Sequence, residues 1–184
     1  MQEIETHVQD ILRLIGENPE REGLQKTPHR VAKMFAEVLV GYFQYPRKLI
    51  NGAIYENEYE SDNLVIIQNI EFKSLCEHHM LPFTGKAQIG YIPGKKILGL
   101  SKIPRIVNMY ARRLQVQERL TQQIVNCIDE AISPKGIIVL LDGHHQCASL
   151  RGVEQEQLNM RTIASHGVLD TAKYRTEFFN LITS

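Results

Sequence analysis

"NLVIIQNIEFKSLCEHHMLPFTGKAQIGYIP", residues 63–93, is where the texture of the chain changes. Residues 63–75 are rich in β-branched and other apolar residues, and residues 85–93 repeat that character with an aromatic residue and bounding Gly and Pro. Short runs of this kind read as antiparallel strands. Between them, at 76–79, stand a cysteine, an acid and two adjacent histidines. Such side chains are costly among apolar neighbours unless they are paired or bound. A metal half-site, a catalytic cluster and a polar loop all remain open readings of this knot.

Downstream, "KILGL" (96–100) reads as another strand. "SKIPRIVNMYARRL" (101–114) and "VQERLTQQIVNCIDEAI" (116–132) carry helical periodicity. "KGIIVLLDG" (135–143) has the composition of a buried strand, and a further strand is expected through "HQCASLRGV" (145–153). Another strand over 159–168 and a helix in "TAKYRTEFFNLI" (171–182) complete the chain. Upstream, Ile4, Val8, Ile11, Leu12 and Leu14 share a helix, and "GENPEREG" (16–23) is a loop. "KTPHRVAKMFAEVLVGYF" (26–43) predicts a second helix, with Thr27 as N-cap, Pro28 at the first helical position and Gly41 as a stop. Residues 44–63 read mostly as loop. The fold class is therefore α+β: an antiparallel sheet with packed helices, in a single domain over 1–184. A helical part (1–43) precedes an α+β core (60–184).

Lys+Arg and Asp+Glu both number 21, so no global field draws nucleic acid or a membrane surface, and an anion site must be a local cluster. No apolar run approaches the roughly 18 residues of a spanning helix. The N-terminus is amphipathic and acidic, unlike a secretory signal. Three cysteines are an odd, low count that favours free thiols or metal ligands in the cytoplasm over disulfides.

Cys76 and His79 form a C-x-x-H unit, a spacing that lets both chelate one ion across a tight turn. Cys147, just after "GHHQ", lies in a second histidine-rich stretch and completes a three-ligand set. Three protein ligands leave a position for water, as in catalytic zinc sites, while a further histidine would close a structural one. The spacing thus favours a metal and leaves its job open. In an extended segment His145 shares a face with Cys147, and His78 adjoins His79. Either histidine is then a proton carrier beside the ion or a hydrogen-bonding partner of its ligands. Cys127, in "IVNCIDEAI", reads as a small core residue.

Taken together, "TPHRVAKMF" (27–35), "SLCEHHMLPFTGKAQIGYIP" (74–93), "GLSKIPRIVNMYARRLQVQERLTQQI" (99–124) and "HHQC…RGV" resemble GTP cyclohydrolase I, in order and in spacing. The resemblance spans residues 5–183 and is densest over 70–155. It implies the tunnelling fold and a zinc-dependent hydrolase that opens the imidazole ring of GTP. Formate is released and 7,8-dihydroneopterin triphosphate is formed. By the same resemblance Cys76, His79 and Cys147 hold zinc, and His78, His145 and Ser101 are catalytic. Gln117 and Glu118 recognise guanine, and Arg30, Lys33, Lys102, Arg105 and Arg151 bind triphosphate or ribose. It further implies a homodecamer of two pentamers with active sites at subunit interfaces.

The residue types suit these roles. A carboxylate at Glu118 accepts guanine's adjacent ring and amino N–H groups, an edge that adenine lacks. Arg and Lys suit a triphosphate, and Ser101 is placed to cap the helix that follows it, whose N-terminus favours anions. The chain departs from the family pattern after "RGV": Leu158, Arg161 and Ile163 replace small hydroxylated residues, and Leu169 replaces an aromatic one. Asn69 stands where a carboxylate is usual. Two rivals follow: a nitrile reductase on the same fold, using a catalytic cysteine and NADPH, and a catalytically impaired paralogue acting as a zinc-stabilised nucleotide-binding oligomer.

Overall fold

A computed structural model describes residues 1–59 and 62–183. It resolves into two compact units, 1–40 and 41–184. The first holds helices α1 (Gln2–Leu14) and α2 (Thr27–Val38), whose side chains meet where His29 Nδ1 lies 3.0 Å from Glu5 Oε1. Pro28 takes the expected first-turn place, but the helix begins one residue early: Lys26 is the N-cap and Thr27 is already helical.

The second unit contains α3 (Pro46–Ile50), β1 (Ile54–Glu56), β2 (Val65–Cys76), β3 (Pro82–Ile92), β4 (Lys96–Leu98), α4 (Lys102–Ala111) and β5 (Leu114–Gln115). α5 (Gln117–Ile132), β6 (Gly136–His145), α6 (Gln146–Ser149), β7 (Asn159–Gly167) and α7 (Ala172–Thr183) follow. The main sheet has the order β5-β2-β3-β6-β7, antiparallel except for the short β2–β5 pair. β1 and β4 form a separate ladder.

Alternation within β6 explains why "IIVLL" is apolar throughout. Ile137, Val139 and Leu141 face the core beneath α4 and α5, where Ile103, Ile106, Leu120 and Ile124 pack. Ile138 and Leu140 face the other way, against Leu169 and Phe178 of the C-terminal segment. A strand covered on both faces has no polar side to show. Cys127 lies in the first of these clusters at 4% exposure, as its place on an apolar helical face predicts.

Three expectations are corrected. "HQCASLRGV" is not a strand: β6 ends at His145 and the chain turns at once into α6. The argument that His145 and Cys147 share a face of one extended segment therefore fails. The expected loop at 44–63 contains α3 and β1, while residues 60 and 61 lie outside the described residues. Ser101 precedes α4 as its N-cap residue, but its side chain makes no capping hydrogen bond.

At Asn69 the β2–β3 register shifts and the backbone takes φ 58°, with Asn69 N–H donating to Gln88 Oε1 at 2.8 Å. Asn and Asp are the non-glycine residues that most readily adopt this left-handed conformation. Asparagine thus meets the same backbone demand as the usual carboxylate.

Candidate metal centre and active site

The site forms where three chain reversals meet. β2 ends at Cys76, and the next five residues fold back tightly: Met80 N–H donates to Cys76 O, and Cys76 N–H to Leu81 O, both at 2.8 Å. Met80 takes φ 56° to close this turn, which swings His79 back toward Cys76. Register then supplies the rest. Phe83 pairs with His145 across β3–β6, so α6 and Cys147 begin beside the turn. Cys76 pairs with Gln115 across β2–β5, so α5 begins there as well.

One donor atom each from Cys76, His79 and Cys147 falls within 4.8 Å of the others, the one such His/Cys/carboxylate group among the described residues. Cys76 Sγ lies 4.0 Å from His79 Nδ1. Tetrahedral zinc, with Zn–S about 2.3 Å and Zn–N about 2.0–2.1 Å, asks for donor separations of about 3.6–3.8 Å. A small closure of the turn meets that, and two thiolates with an imidazole are the donor set zinc takes. The residues therefore fit the metal. Burial, reinforced by the adjacent Cys76 thiol, pushes the Cys147 thiol up. A coordinated cation inverts that preference, since it deprotonates the thiols it binds.

Around this centre the structure gathers several expected residues. His78 Nδ1 lies 3.6 Å from Cys76 Sγ, on the exposed side of the turn. His145 is stacked on Phe83, centroids 4.5 Å apart and planes at 4°, and its Nε2 lies 2.9 Å from Gln117 Oε1. Burial lowers the pKa of His145, while the nearby Glu118 carboxylate opposes the shift. Glu118 is exposed in the first turn of α5. Arg151 Nη1 lies 3.3 Å from His79 Nε2 and donates to Cys147 O at 3.1 Å, so it sits over the metal cluster.

Gln117, expected at the guanine, is 1% exposed, with its carboxamide turned into the protein. Glu77, given no role by the sequence, forms an ion pair with Arg119. That pair ties the ligand turn to the start of α5, and no spacing rule could have found it, because the partners are 42 residues apart.

Lys102 and Arg105 line a cavity of about 640 Å³ beside α4, into which Lys48 and Arg112 bring two further cations. Lys102 Nζ donates to Leu49 O at 3.0 Å, which anchors α3 against this wall. Lys48 and Arg112 were not singled out from the sequence, because isolated bases on short elements carry no pattern. Arg30 and Lys33 are exposed on α2, Lys33 standing 4.0 Å from Glu37. The second unit thus brings together two thiols and an imidazole, a second oriented imidazole and a carboxylate, while the basic cavity beside α4 is a separate feature that none of these side chains lines. The set is equipped to hold a thiophilic cation, to move a proton and to accept paired N–H groups, and the cavity to receive an anion.

Against known proteins, a family model described as GTP cyclohydrolase I matches residues 4–183. GTP cyclohydrolase 1 of Porphyromonas gingivalis is 47% identical over 179 residues, 97% of this chain and 92% of that protein. The Campylobacter lari protein of the same name is 47% identical over 186 residues, 100% of this chain and 97% of its own. Among solved structures, apo archaeosine synthase QueF-Like covers 59% of this chain and 97% of its own at 18% identity and a TM-score of 0.49.

Proposed function

The chain belongs to the GTP cyclohydrolase I family, and from that membership we propose that it opens the imidazole ring of GTP and releases formate. The product is 7,8-dihydroneopterin triphosphate, and zinc is the metal held by Cys76, His79 and Cys147. The single observation that carries the reading is the convergence of those three donors beside His145 and Glu118, in a chain the family model matches almost end to end.

Bound zinc supplies Lewis acidity, which makes water nucleophilic near neutral pH. The remaining work falls to the chain itself. Glu118 accepts the ring and amino N–H groups of guanine, orienting carbon 8 toward the cluster. His145 takes up a proton at the ring nitrogen that faces the substrate and passes it to the purine nitrogen beside that carbon, which makes the carbon more electrophilic. His78, at the exposed side of the turn, moves protons as the ring opens and formate leaves. Ser101, ahead of α4, helps protonate the ribose oxygen so that the sugar opens and rearranges. The exposed sugar carbonyl then condenses with the freed amine and closes the pterin ring. Lys102, Arg105 and Arg151 hold the triphosphate or ribose, and the family resemblance gives Arg30 and Lys33 the same role.

The same reading includes one cyclohydrolase domain per chain, a cytoplasmic location and a decamer of two pentamers with interfacial sites. Exposed Leu150 and Val153, which flank Arg151 just after Cys147, support a covering neighbour, since exposed apolar side chains beside a site mark contact surfaces.

Purified protein incubated with GTP, with formate and oxidised-pterin fluorescence followed beside zinc content, tests the proposal. Zinc at one per chain with both products is the expected result. NADPH consumption with no formate would favour the reductase. Bound zinc and bound GTP without turnover would favour the impaired paralogue.

A further inference from the structure

Gln117 opens α5, yet its side chain is sealed inside the protein, and its hydrogen bonds allow each proton to be placed. Gln117 Nε2 lies 3.2 Å from Leu141 O, 2.8 Å from Met160 O and 3.1 Å from Thr162 Oγ1. Backbone carbonyls only accept, so the amino end of the carboxamide faces them and the oxygen faces His145. An amide oxygen also only accepts. The proton shared across the 2.9 Å contact therefore belongs to His145 Nε2.

The neighbouring hydroxyls agree. Thr121 Oγ1 lies 2.7 Å from Gln117 O and 2.6 Å from Thr162 Oγ1. Its single proton goes to the carbonyl, so Thr162 donates to Thr121 and keeps a lone pair for the Gln117 amino group. No donor of this network faces a donor.

We propose that Gln117 is a positioning residue that holds neutral His145 as its Nε2–H tautomer, leaving Nδ1 to exchange protons with the substrate. The proposal rests on the cyclohydrolase reading for the identity of that substrate. It places Gln117 behind the histidine instead of on the base, because its two amino protons are taken up among three internal acceptors. Two further contacts complete the device. The parallel Phe83 ring sets the plane of the imidazole, and the Gln117 contact sets its rotation within that plane. Gly143, two residues before His145 on β6, makes the room: a Cβ there would stand 2.2 Å from Gln117 Oε1.

Solid-state 15N NMR of the zinc-loaded protein with labelled histidine reads the tautomer, His145 being assigned by its loss in His145→Asn. In the unsubstituted protein His145 should carry its proton on Nε2 and none on Nδ1. Gln117→Leu removes the acceptor, and Gly143→Ala displaces it by adding one methyl group. Both should mix the tautomers and lower kcat about 10–100-fold, the range for groups that orient a reacting one, with little change in KM for GTP. An Nδ1–H tautomer in the unsubstituted protein overturns the proposal, and that spectrum needs no variant to fold. So does a rise in KM with kcat kept, which would return Gln117 to the base. If the unsubstituted protein does not turn over GTP, the function proposed above fails, and the spectrum still judges the tautomer.

Discussion

Gly90→Ala tests how the C-terminal helix is held to the sheet. Gly90 lies on β3 between Ile66 of β2 and Ile138 of β6. A Cβ built there stands 2.7 Å from Phe178 Cδ2, 3.0 Å from Cε2 and 3.1 Å from Ile138 Cγ2. Carbon atoms prefer about 3.5–4.0 Å, so the ring must retreat by about 1 Å. It has nowhere to go, since Phe178 is fully buried against Ile138, Leu140 and Leu169. Two effects oppose one another. Alanine is better than glycine inside a strand by roughly 0.5–1 kcal/mol. Forcing a methyl into a packed core costs about 1–3 kcal/mol. Overpacking wins, for a net loss of about 1–2 kcal/mol, or a thermal midpoint lower by about 2–8 °C in a chain of this size. Because Phe178 is the buried residue of α7, the loss should appear first as faster amide exchange over 172–183. Phe178→Leu shortens the opposing side chain, so the double variant should be more stable than the sum of the singles by about 0.5 kcal/mol or more. Calorimetry on the four proteins decides. Strict additivity, or a raised midpoint for Gly90→Ala, refutes the packing argument.

Cys147→Ser should lose zinc and formate release together, whereas Cys127→Ser should keep its zinc, because Cys127 lies in the core; metal analysis beside turnover separates the two, and full metal-free turnover by Cys147→Ser would remove zinc from the mechanism. Glu118→Gln should lower kcat/KM for GTP by about 10–150-fold, the worth of a charge-assisted hydrogen bond, with an unchanged thermal midpoint, as expected of an exposed side chain; unchanged kinetics would sink the guanine contact. Burial, with the Cys127 thiol beside it, pushes Tyr110 from 10.0 up to about 12. The folded state thus favours the neutral phenol, a contribution whole below pH 10 and lost as pH rises through about 12. Tyr110→Phe should therefore flatten the fall in thermal midpoint across that window, and a slope equal to that of the unsubstituted protein would count against the burial argument.

What the sequence disclosed about the fold depended on how local each cause was. α5 was legible because its apolar face repeats every three or four residues, and β6 because "IIVLL" has no polar side. The end of β6 was not, since pairing with β3 carries the strand on through His144 and His145, opposite Thr84 and Phe83. That is a decision made by a partner 60 residues away. β1 escaped notice for the same reason: Ile54, Tyr55 and Glu56 are a strand because Lys96–Leu98 lie beside them. Ser101 shows the opposite failure. Its type and place suit a cap, but it sits in helical geometry and its hydroxyl makes no capping bond.

The metal ligands and Gln117 show why one site can be half readable. Cys76 and His79 announce themselves because a chelating pair must be closely spaced, and cysteines are too few here for Cys147 to be overlooked. An orienting residue obeys no such rule. What assigns Gln117 to His145 is the pair of carbonyls that fix its amide, Leu141 O from β6 and Met160 O from β7. Carbonyls are present at every residue, so no sequence marks which two will matter. The register of β6 against β7 chooses them, Leu141 lying opposite Thr162 and Gly143 opposite Met160. The same register places Thr162 within reach of Gln117 and leaves Arg161 pointing to the other face, onto Asp142. The departures at Arg161 and Ile163 thus alternate with the residue that the network uses. Replacing every second residue of β7 changes one face of the strand and leaves the hydrogen bonds behind His145 intact.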